Sequence, residues 1–347
     1  MNHEYFMKRA IALAESGLGT ASPNPTVGAV LVHKDRIIGE GWHVRPGEEH
    51  AEVRCFDSVA EVDKALIPES TLYVTLEPCN HTGRTPPCSL RIIEEGVKKV
   101  VVAVEDPHPA VGGKGLERLR AAGVDVVMGV EAPAARWMNR RFLTALEKGR
   151  PYVILKWAQS SDGYMDPGKG AADRGPVWIT GPRTKQWVHR WRSEEDAILI
   201  GYRTALVDNP RLDVREWAGT NPLRLVIDLE SDLPKNLHLW HLEGETWTFG
   251  HQSKHPYSDR HFEIDWDERS VDRILEHLQV AEIRSVIVEG GAQTLDYFIS
   301  RELWDEARIL TGSTPLCGGL EAPVVSGTQL EEHFIDQDRL NVILHDT

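Results

Sequence analysis

The feature that most narrows the possible folds is a scattered set of ligand-type residues: His50-Ala51-Glu52, then Glu77-Pro78-Cys79, then Cys88 after eight intervening positions. One imidazole and two thiolates make three protein ligands, the usual count for a catalytic Zn2+ that keeps its fourth position for water. Glu52, two positions from His50, is placed to take the proton of that water, whose pKa the metal brings to about 7. Plainer readings compete. A bare His-Ala-Glu is ordinarily a helix start with a solvated carboxylate, and free cysteines are commonly buried as small hydrophobes. The surroundings favour the metal. Pro78-Cys79 follows the apolar run 72–76 directly, and residues 80–87 (Asn-His-Thr-Gly-Arg-Thr-Pro-Pro) form a polar loop where burial without a ligand partner is out of place. Cys55, three positions after Glu52, reads as core. His81 competes as a ligand and reads better as a substrate contact.

Around these residues the N-terminal half alternates strand and helix signals. Residues 27–32 and 37–42 flank Lys34-Asp35 like the strands of a hairpin, and 52–62 has helical spacing of Val53, Phe56 and Val59. Short apolar runs at 72–76 and 100–104 suit a covered sheet, and a helix over 89–95 between them makes a strand, helix, strand unit with parallel strands. Residues 1–19 carry acids and bases interleaved with an apolar stripe, which reads as an amphipathic helix of a cytoplasmic protein and lacks the order of a secretory signal. Residues 152–156, 197–200, 223–227 and 285–288 read as strands of a second α/β module, and 183–192 as a helix. A length of 347 residues is more than one core normally serves. The Glu-Lys-Gly-Arg-Pro stretch at 147–151 marks the boundary, giving domains 1–148 and 149–347.

Charge supports the division and removes some functions. Residues 1–150 carry 19 bases and 20 acids, whereas 151–347 carry 20 bases and 33 acids and nine of the eleven tryptophans. A net charge of −14 argues against a nucleic-acid partner, because affinity for polyanions rests on clustered Lys and Arg. No apolar run approaches the roughly 18 residues of a membrane span. Four cysteines, unevenly placed, do not make a disulfide framework.

His-x-Glu with Pro-Cys and a second Cys resembles the zinc-dependent cytidine deaminase superfamily. The common spacing there is Pro-Cys-x-x-Cys, and here the gap is eight. With that longer loop and Pro23-Asn24-Pro25-Thr26-Val27-Gly28, the N-terminal half looks like the riboflavin-biosynthesis pyrimidine deaminase branch. The resemblance implies that Asn24, His81 and Arg84 contact the substrate. Arg84 is suited to a phosphate, with a solvated loop cation as the ordinary alternative.

In the second module, Leu155-Lys156-Trp157-Ala158-Gln159-Ser160-Ser161-Asp162-Gly163 is a strand running into a turn. Trp178-Ile179-Thr180-Gly181 follows a Gly-rich loop. Arg192, Thr204, Asp208-Asn209-Pro210, Leu212 and Arg215 come next, and later Val288-Glu289-Gly290-Gly291-Ala292-Gln293-Thr294-Leu295. A glycine pair after a strand allows close backbone approach, and free amides at the next helix start suit a diphosphate. The pattern is not Gly-x-Gly-x-x-Gly, so a Rossmann fingerprint is absent. The ordered set resembles the dihydrofolate-reductase-like reductase domain of the bifunctional riboflavin-biosynthesis enzymes. The implied fold is therefore α/β, a cytidine-deaminase-like N-terminal domain followed by a dihydrofolate-reductase-like C-terminal domain.

That resemblance implies NADPH against Trp178, Thr204, Asp208, Gly290, Gly291, Ala292, Gln293 and Thr294, and a phosphorylated sugar held by Arg192, Leu212, Arg215 and Glu289. Arg192 and Arg215 stand out as phosphate forks in an acidic module, although acids such as Glu194 and Glu216 lie close in sequence. Pro176 and Val177 stand where the family often has a small polar residue, and Ser160-Ser161 has Ser where Leu is common. Arg183 and Arg203 are candidates for the 2′-phosphate of NADPH. The expected whole is a cytoplasmic enzyme using Zn2+ and NADPH on a small phosphorylated pyrimidine, as a homo-oligomer (dimer or tetramer), without nucleic acid or membrane. The alternatives are a zinc-dependent nucleoside or tRNA deaminase fused to a non-catalytic α/β binding module, and a structural zinc closed by a fourth ligand such as His81.

Overall fold

The computed structural model describes residues 2–80, 86–107, 112–168 and 177–346. The chain divides into two compact units, residues 1–149 and 150–347.

The first unit is a five-stranded mixed sheet with helices on its faces. In chain order its elements are α1 (His3–Ala14), β1 (Gly28–His33), β2 (Arg36–Trp42), α2 (Ala51–Asp57), β3 (Thr71–Leu76), α3 (Cys88–Glu94), β4 (Lys99–Val104), α4 (Lys114–Ala121), β5 (Asp125–Met128), α5 (Ala132–Met138) and α6 (Arg140–Glu147). The sheet order is β2-β1-β3-β4-β5. β1 pairs antiparallel with β2 and β3, while β3, β4 and β5 run parallel. All six residues of β1 and of β3 are buried, which explains why these strands read as continuous apolar runs: both faces are covered. One face packs Ala29, Leu31, Leu72 and Val74 against Cys55, Phe56 and Ile92; the other packs Val30, Tyr73 and Val101 against Phe6, Met7 and Ala10 of α1. α1 lies so close to β1 that a Cβ on Gly28 would sit 1.9 Å from the Ala10 carbonyl oxygen.

The helix expected over 52–62 is shorter. α2 stops at Asp57, where the Ser58 hydroxyl donates to the Cys55 carbonyl and accepts from the Glu40 amide. That hydroxyl competes with the helical ladder. The chain continues as a 3₁₀ segment, Glu61–Glu69, containing Pro68 and leaving Val62 88% exposed.

The second unit is built on a nine-stranded sheet. Its elements are β6 (Tyr152–Gln159), β7 (Tyr164–Asp166), α7 (Pro182–Glu194), β8 (Ala197–Gly201), α8 (Tyr202–Asp208), β9 (Leu223–Ile227), β10 (Thr246–Gly250), β11 (Arg260–Glu263), α9 (Ser270–Val280), β12 (Ser285–Val288), α10 (Ala292–Ser300), β13 (Glu306–Thr311), β14 (Leu320–Glu321), β15 (Thr328–Ile335) and β16 (Asp338–Leu344). The order is β11-β10-β9-β8-β12-β6-β13-β16-β15, parallel from β11 to β13 and antiparallel at β16 and β15. β7 and β14 form a separate antiparallel pair. The central strands β8, β12 and β6 are covered on both faces by two apolar clusters. Every strand foreseen in this half is present, and α7 spans the helix expected over 183–192.

Candidate active sites

In the first unit, β3 and α2 converge at their ends. His50 is the N-cap of α2 in extended conformation, Cys79 follows β3, and Cys88 opens α3. His50 Nδ1 lies 3.5 Å from Cys79 Sγ and 3.3 Å from Cys88 Sγ. All three donor atoms fall within 4.8 Å of one another. A tetrahedron with Zn–N near 2.0 Å and Zn–S near 2.3 Å has an N···S edge of about 3.5 Å, so the donor set fits zinc. Donation from the Cys88 thiol holds Cys79 down at about 4 even without metal, and the same proton keeps Cys88 well above the ordinary thiol range. The hydrogen bond to Cys79 raises His50. Cys55, by contrast, is fully buried in the apolar cluster, and burial pushes its thiol up.

Glu52 sits in the first turn of α2 and is 3% exposed. Burial, with the Cys79 charge nearby, raises its carboxyl to about 7. A carboxyl held near neutrality both accepts and returns a proton, which is what general acid–base work requires.

Asn24 is oriented by a residue the sequence reading did not single out. His43 is buried, and its Nδ1 lies 3.1 Å from the Glu49 carbonyl, to which it can only donate. The other nitrogen, Nε2, therefore accepts, and Asn24 Nδ2 stands 3.0 Å from it. This fixes the Asn24 amide and leaves its Oδ1 for another donor. The His43 ring meets that of His50 edge-on, with centroids 5.4 Å apart.

Glu77 is a second residue missed. It is buried, and its carboxylate accepts from the amides of Asp106, Gly113, Gly115 and Leu116 at 3.2, 2.9, 2.8 and 3.4 Å. The start of α4 is thus capped from the residue two before Cys79. The approach is tight, since a Cβ on Gly115 would lie 2.1 Å from the Pro78 carbonyl oxygen. A carboxylate immediately before Pro-Cys, at the end of a buried strand, was the available signal. His81 and Arg84 lie outside the described residues.

In the second unit the expected substrate residues meet. Arg192 on α7 is buried and holds Glu289 through two hydrogen bonds of 2.8 Å, while its Nη1 donates to the Asp213 carbonyl at 3.3 Å. Lys156 on β6 reaches Glu289 at 3.5 Å. Burial lowers Lys156; it also raises Glu289, but Arg192 and Lys156 outweigh this and hold the carboxyl at about 2. Lys156 was quoted in the motif without a role, yet a lone cation inside the run Tyr-Val-Ile-Leu-Lys-Trp needs a buried partner. Arg215 pairs with Asp213, and Leu212 is buried between the two arginines in sequence with φ of +53°. Arg192 and Arg215 do not pair with Glu194 and Glu216; those acids hold Arg190 and Lys185.

Of the expected cofactor residues, Thr204, Gly290, Gly291 and Thr294 gather at the ends of the neighbouring strands β8 and β12. The Gly201 amide donates to the Gly290 carbonyl at 3.0 Å. Gly290 has φ of +104°, the region glycine alone adopts readily, and Gly291 is the N-cap of α10. A Cβ on Gly291 would come within 3.3 Å of Thr204 Oγ1, and one on Gly201 within 2.4 Å of Thr294 Oγ1. The starts of α8 and α10 are therefore in contact through these residues. Ala292 is buried, Gln293 donates to the Tyr297 hydroxyl, and Asp208 ends α8. Trp178 is 69% exposed beside Lys185, and Val177 is also exposed; Pro176 lies outside the described residues. Arg183 pairs with Asp336, and Arg203 is exposed on α8.

Residues 1–104 match the cytidine and deoxycytidylate deaminase zinc-binding region, and residues 151–344 match the RibD C-terminal domain. The riboflavin biosynthesis protein RibD of Aquifex aeolicus is 36% identical over 94% of this chain and 91% of its own length. The chain belongs to the RibD family. RibD of Escherichia coli is 36% identical over 88% of this chain and 86% of its own. A solved structure of a diaminohydroxyphosphoribosylaminopyrimidine deaminase/5-amino-6-(5-phosphoribosylamino)uracil reductase from Thermotoga maritima superposes with a TM-score of 0.90, at 34% identity over 99% of both chains. RibD of Acinetobacter baumannii gives a TM-score of 0.87 at 32% identity, again over 99% of both. As a RibD protein, the chain is a bifunctional deaminase and reductase of riboflavin biosynthesis that uses zinc and NADPH, with a cytidine-deaminase-like fold followed by a dihydrofolate-reductase-like one. Among the described residues no helix is long and apolar enough to cross a membrane.

Proposed function

We propose that residues 1–148 hydrolytically remove the 2-amino group of 2,5-diamino-6-ribosylamino-4(3H)-pyrimidinone 5′-phosphate, and that residues 149–347 then reduce the ribosyl side chain to ribityl. The observation that carries the first step is the buried Glu52 carboxyl, raised to about 7, beside the converged donors of His50, Cys79 and Cys88. His50, Cys79 and Cys88 hold the zinc, which supplies Lewis acidity and lowers the pKa of water. Glu52 accepts a proton and delivers it toward the departing ammonia. Asn24, its amide fixed by His43, presents Oδ1 to a donor on the pyrimidine. His81 and Arg84 contact the substrate, Arg84 at its phosphate.

In the second step NADPH supplies the hydride. Trp178, Thr204, Asp208 and the turn Gly290, Gly291, Ala292, Gln293 and Thr294 would bind it, the backbone amides at the start of α10 being suited to its diphosphate. Arg192, Leu212, Arg215 and Glu289 hold the phosphorylated sugar, with Glu289 and Arg192 fixing each other in place. No protein nucleophile is required. The enzyme works in the cytoplasm as a homo-oligomer, a dimer or tetramer. The edge strand β15, exposed along most of its length, is a surface that a second subunit would cover.

Incubation of the purified chain with the pyrimidine substrate, with and without NADPH, tests the reading by mass analysis. The deaminated ribosyl compound is expected without NADPH and the ribityl compound with it. Reduction of a substrate that still carries its 2-amino group would reverse the proposed order.

A further inference from the structure

The loop between α8 and β9 holds two arginines on one carboxylate. Asp213 is buried; its Oδ2 accepts from Arg211 Nε at 2.7 Å and its Oδ1 from Arg215 Nη1. Both arginines remain accessible, at 45% and 37% of side-chain area. Each guanidinium has five N–H donors, so a single bond to Asp213 leaves most of them for a ligand.

The backbone that carries this carboxylate is anchored on several sides. The Asp213 carbonyl accepts from Arg192 on α7 at 3.3 Å. On either side, the Val214 amide donates to Asn221 Oδ1, and Asn209 takes the His238 amide at 2.8 Å. Through Arg192 the loop is tied to Glu289 and Lys156. The connected group thus holds four cations, Lys156, Arg192, Arg211 and Arg215, against two carboxylates, Glu289 and Asp213. The next pairs along α7, Lys185 with Glu216 and Arg190 with Glu194, cancel internally. The excess of two positive charges stands in a segment, 151–347, with 20 bases and 33 acids. It matches a phosphomonoester, which carries about −1.5 to −2 at neutral pH.

We infer that Arg211 is a second prong of the phosphate grip in the reductase unit and that Asp213 is the positioning residue aiming both prongs. The inference rests on the proposed role of Arg215 and adds to it. Asp213 carries negative charge into an anion site, so its value there is geometric: it fixes two flexible guanidiniums before the phosphate arrives.

The test is steady-state reduction of the deaminated 5′-phosphate substrate by the full chain. Arg211→Ala and Arg215→Ala are each expected to raise KM about tenfold or more, the worth of a charge-assisted hydrogen bond, with kcat and the NADPH dissociation constant changed little. Inorganic phosphate should inhibit both variants more weakly. Asp213→Asn separates positioning from simple charge. If Asp213 aims the prongs, KM rises despite the removal of a negative charge, and Asp213→Glu partly restores it. A KM that falls in Asp213→Asn would show a mere competitor for the arginines and overturn the inference. Should Asp213→Asn not fold, Arg211→Ala, an exposed side chain, still decides. If Arg215→Ala raises KM while Arg211→Ala does not, this inference alone fails. If neither arginine matters, the phosphate lies elsewhere and the reading beneath it fails too.

Discussion

Asn24 Nδ2 lies 3.0 Å from His43 Nε2, and the ring is set by donation from Nδ1 to the Glu49 carbonyl. Burial lowers the pKa of His43, which keeps the ring neutral and Nε2 an acceptor. Removing it leaves the Asn24 amide free to flip, so that an N–H faces the substrate donor in place of Oδ1. His43→Ala should therefore lower deaminase kcat/KM about tenfold or more, since an unsatisfied polar group costs about 1 to 3 kcal/mol. Zinc content should stay unchanged. His43→Gln, which retains an acceptor, should recover part of the loss. An unaffected His43→Ala enzyme would show that Asn24 needs no such support.

The metal and acid–base roles separate by variant. Cys79→Ser and Cys88→Ser should each lower zinc content, because affinity depends on ligand number and on a thiolate. Glu52→Gln should keep zinc and fold but lose deamination by about 10² to 10⁴, the usual worth of a positioned acid–base group. Reduction of an already deaminated substrate should continue in Glu52→Gln. Full metal content in both cysteine variants would remove them as ligands.

Glu77 makes a different demand. Four backbone amides converge on its carboxylate, two of them in the first turn of α4. Glu77→Ala strands these donors inside the protein. With each unsatisfied group costing about 1 to 3 kcal/mol, the deaminase unit should lose at least several kcal/mol of stability or fail to fold. Glu77→Gln, still an acceptor at one oxygen, should be milder. In Glu77→Gln a weakened zinc affinity, measured by chelator competition, would show that the disturbance reaches Cys79 two residues away.

What the sequence made legible follows from what the residues must do locally. His50, Cys79 and Cys88 were readable because three soft or imidazole donors at the ends of predicted elements have few other uses, and β1 and β3 because both faces are covered. The partners of His43 and Glu77 were not readable: His43 links the Glu49 carbonyl to Asn24, 19 positions earlier, and Glu77 accepts from amides of Asp106, Gly113, Gly115 and Leu116, 29 to 39 positions later. The Asp213 hub was hidden because its carbonyl is gripped by Arg192, 21 positions earlier. Helix α2 was read too long because Ser58 ends it by a side-chain bond that apolar spacing does not reveal.

The Arg192–Glu289 pair gives the reductase unit an acid-sensitive element. Burial favours the protonated form of Glu289, but Arg192 and Lys156 outweigh it and hold the folded carboxyl at about 2. An unfolded Glu titrates near 4.3. Because the folded value is the lower one, the unfolded chain binds the proton first, and the pair's stabilisation is complete above about pH 4.3. It is lost as pH falls from there toward about 2. Nine of the eleven tryptophans lie in 151–347, so Trp fluorescence chiefly follows this unit. Its denaturation midpoint should drop over that window. Glu289→Ala should destabilise it at neutral pH by about 3 to 5 kcal/mol, the cost of leaving a buried cation unpaired. The same variant should flatten the acid dependence between about pH 4 and 2. An equally steep loss of stability in Glu289→Ala would place the acid-sensitive group elsewhere.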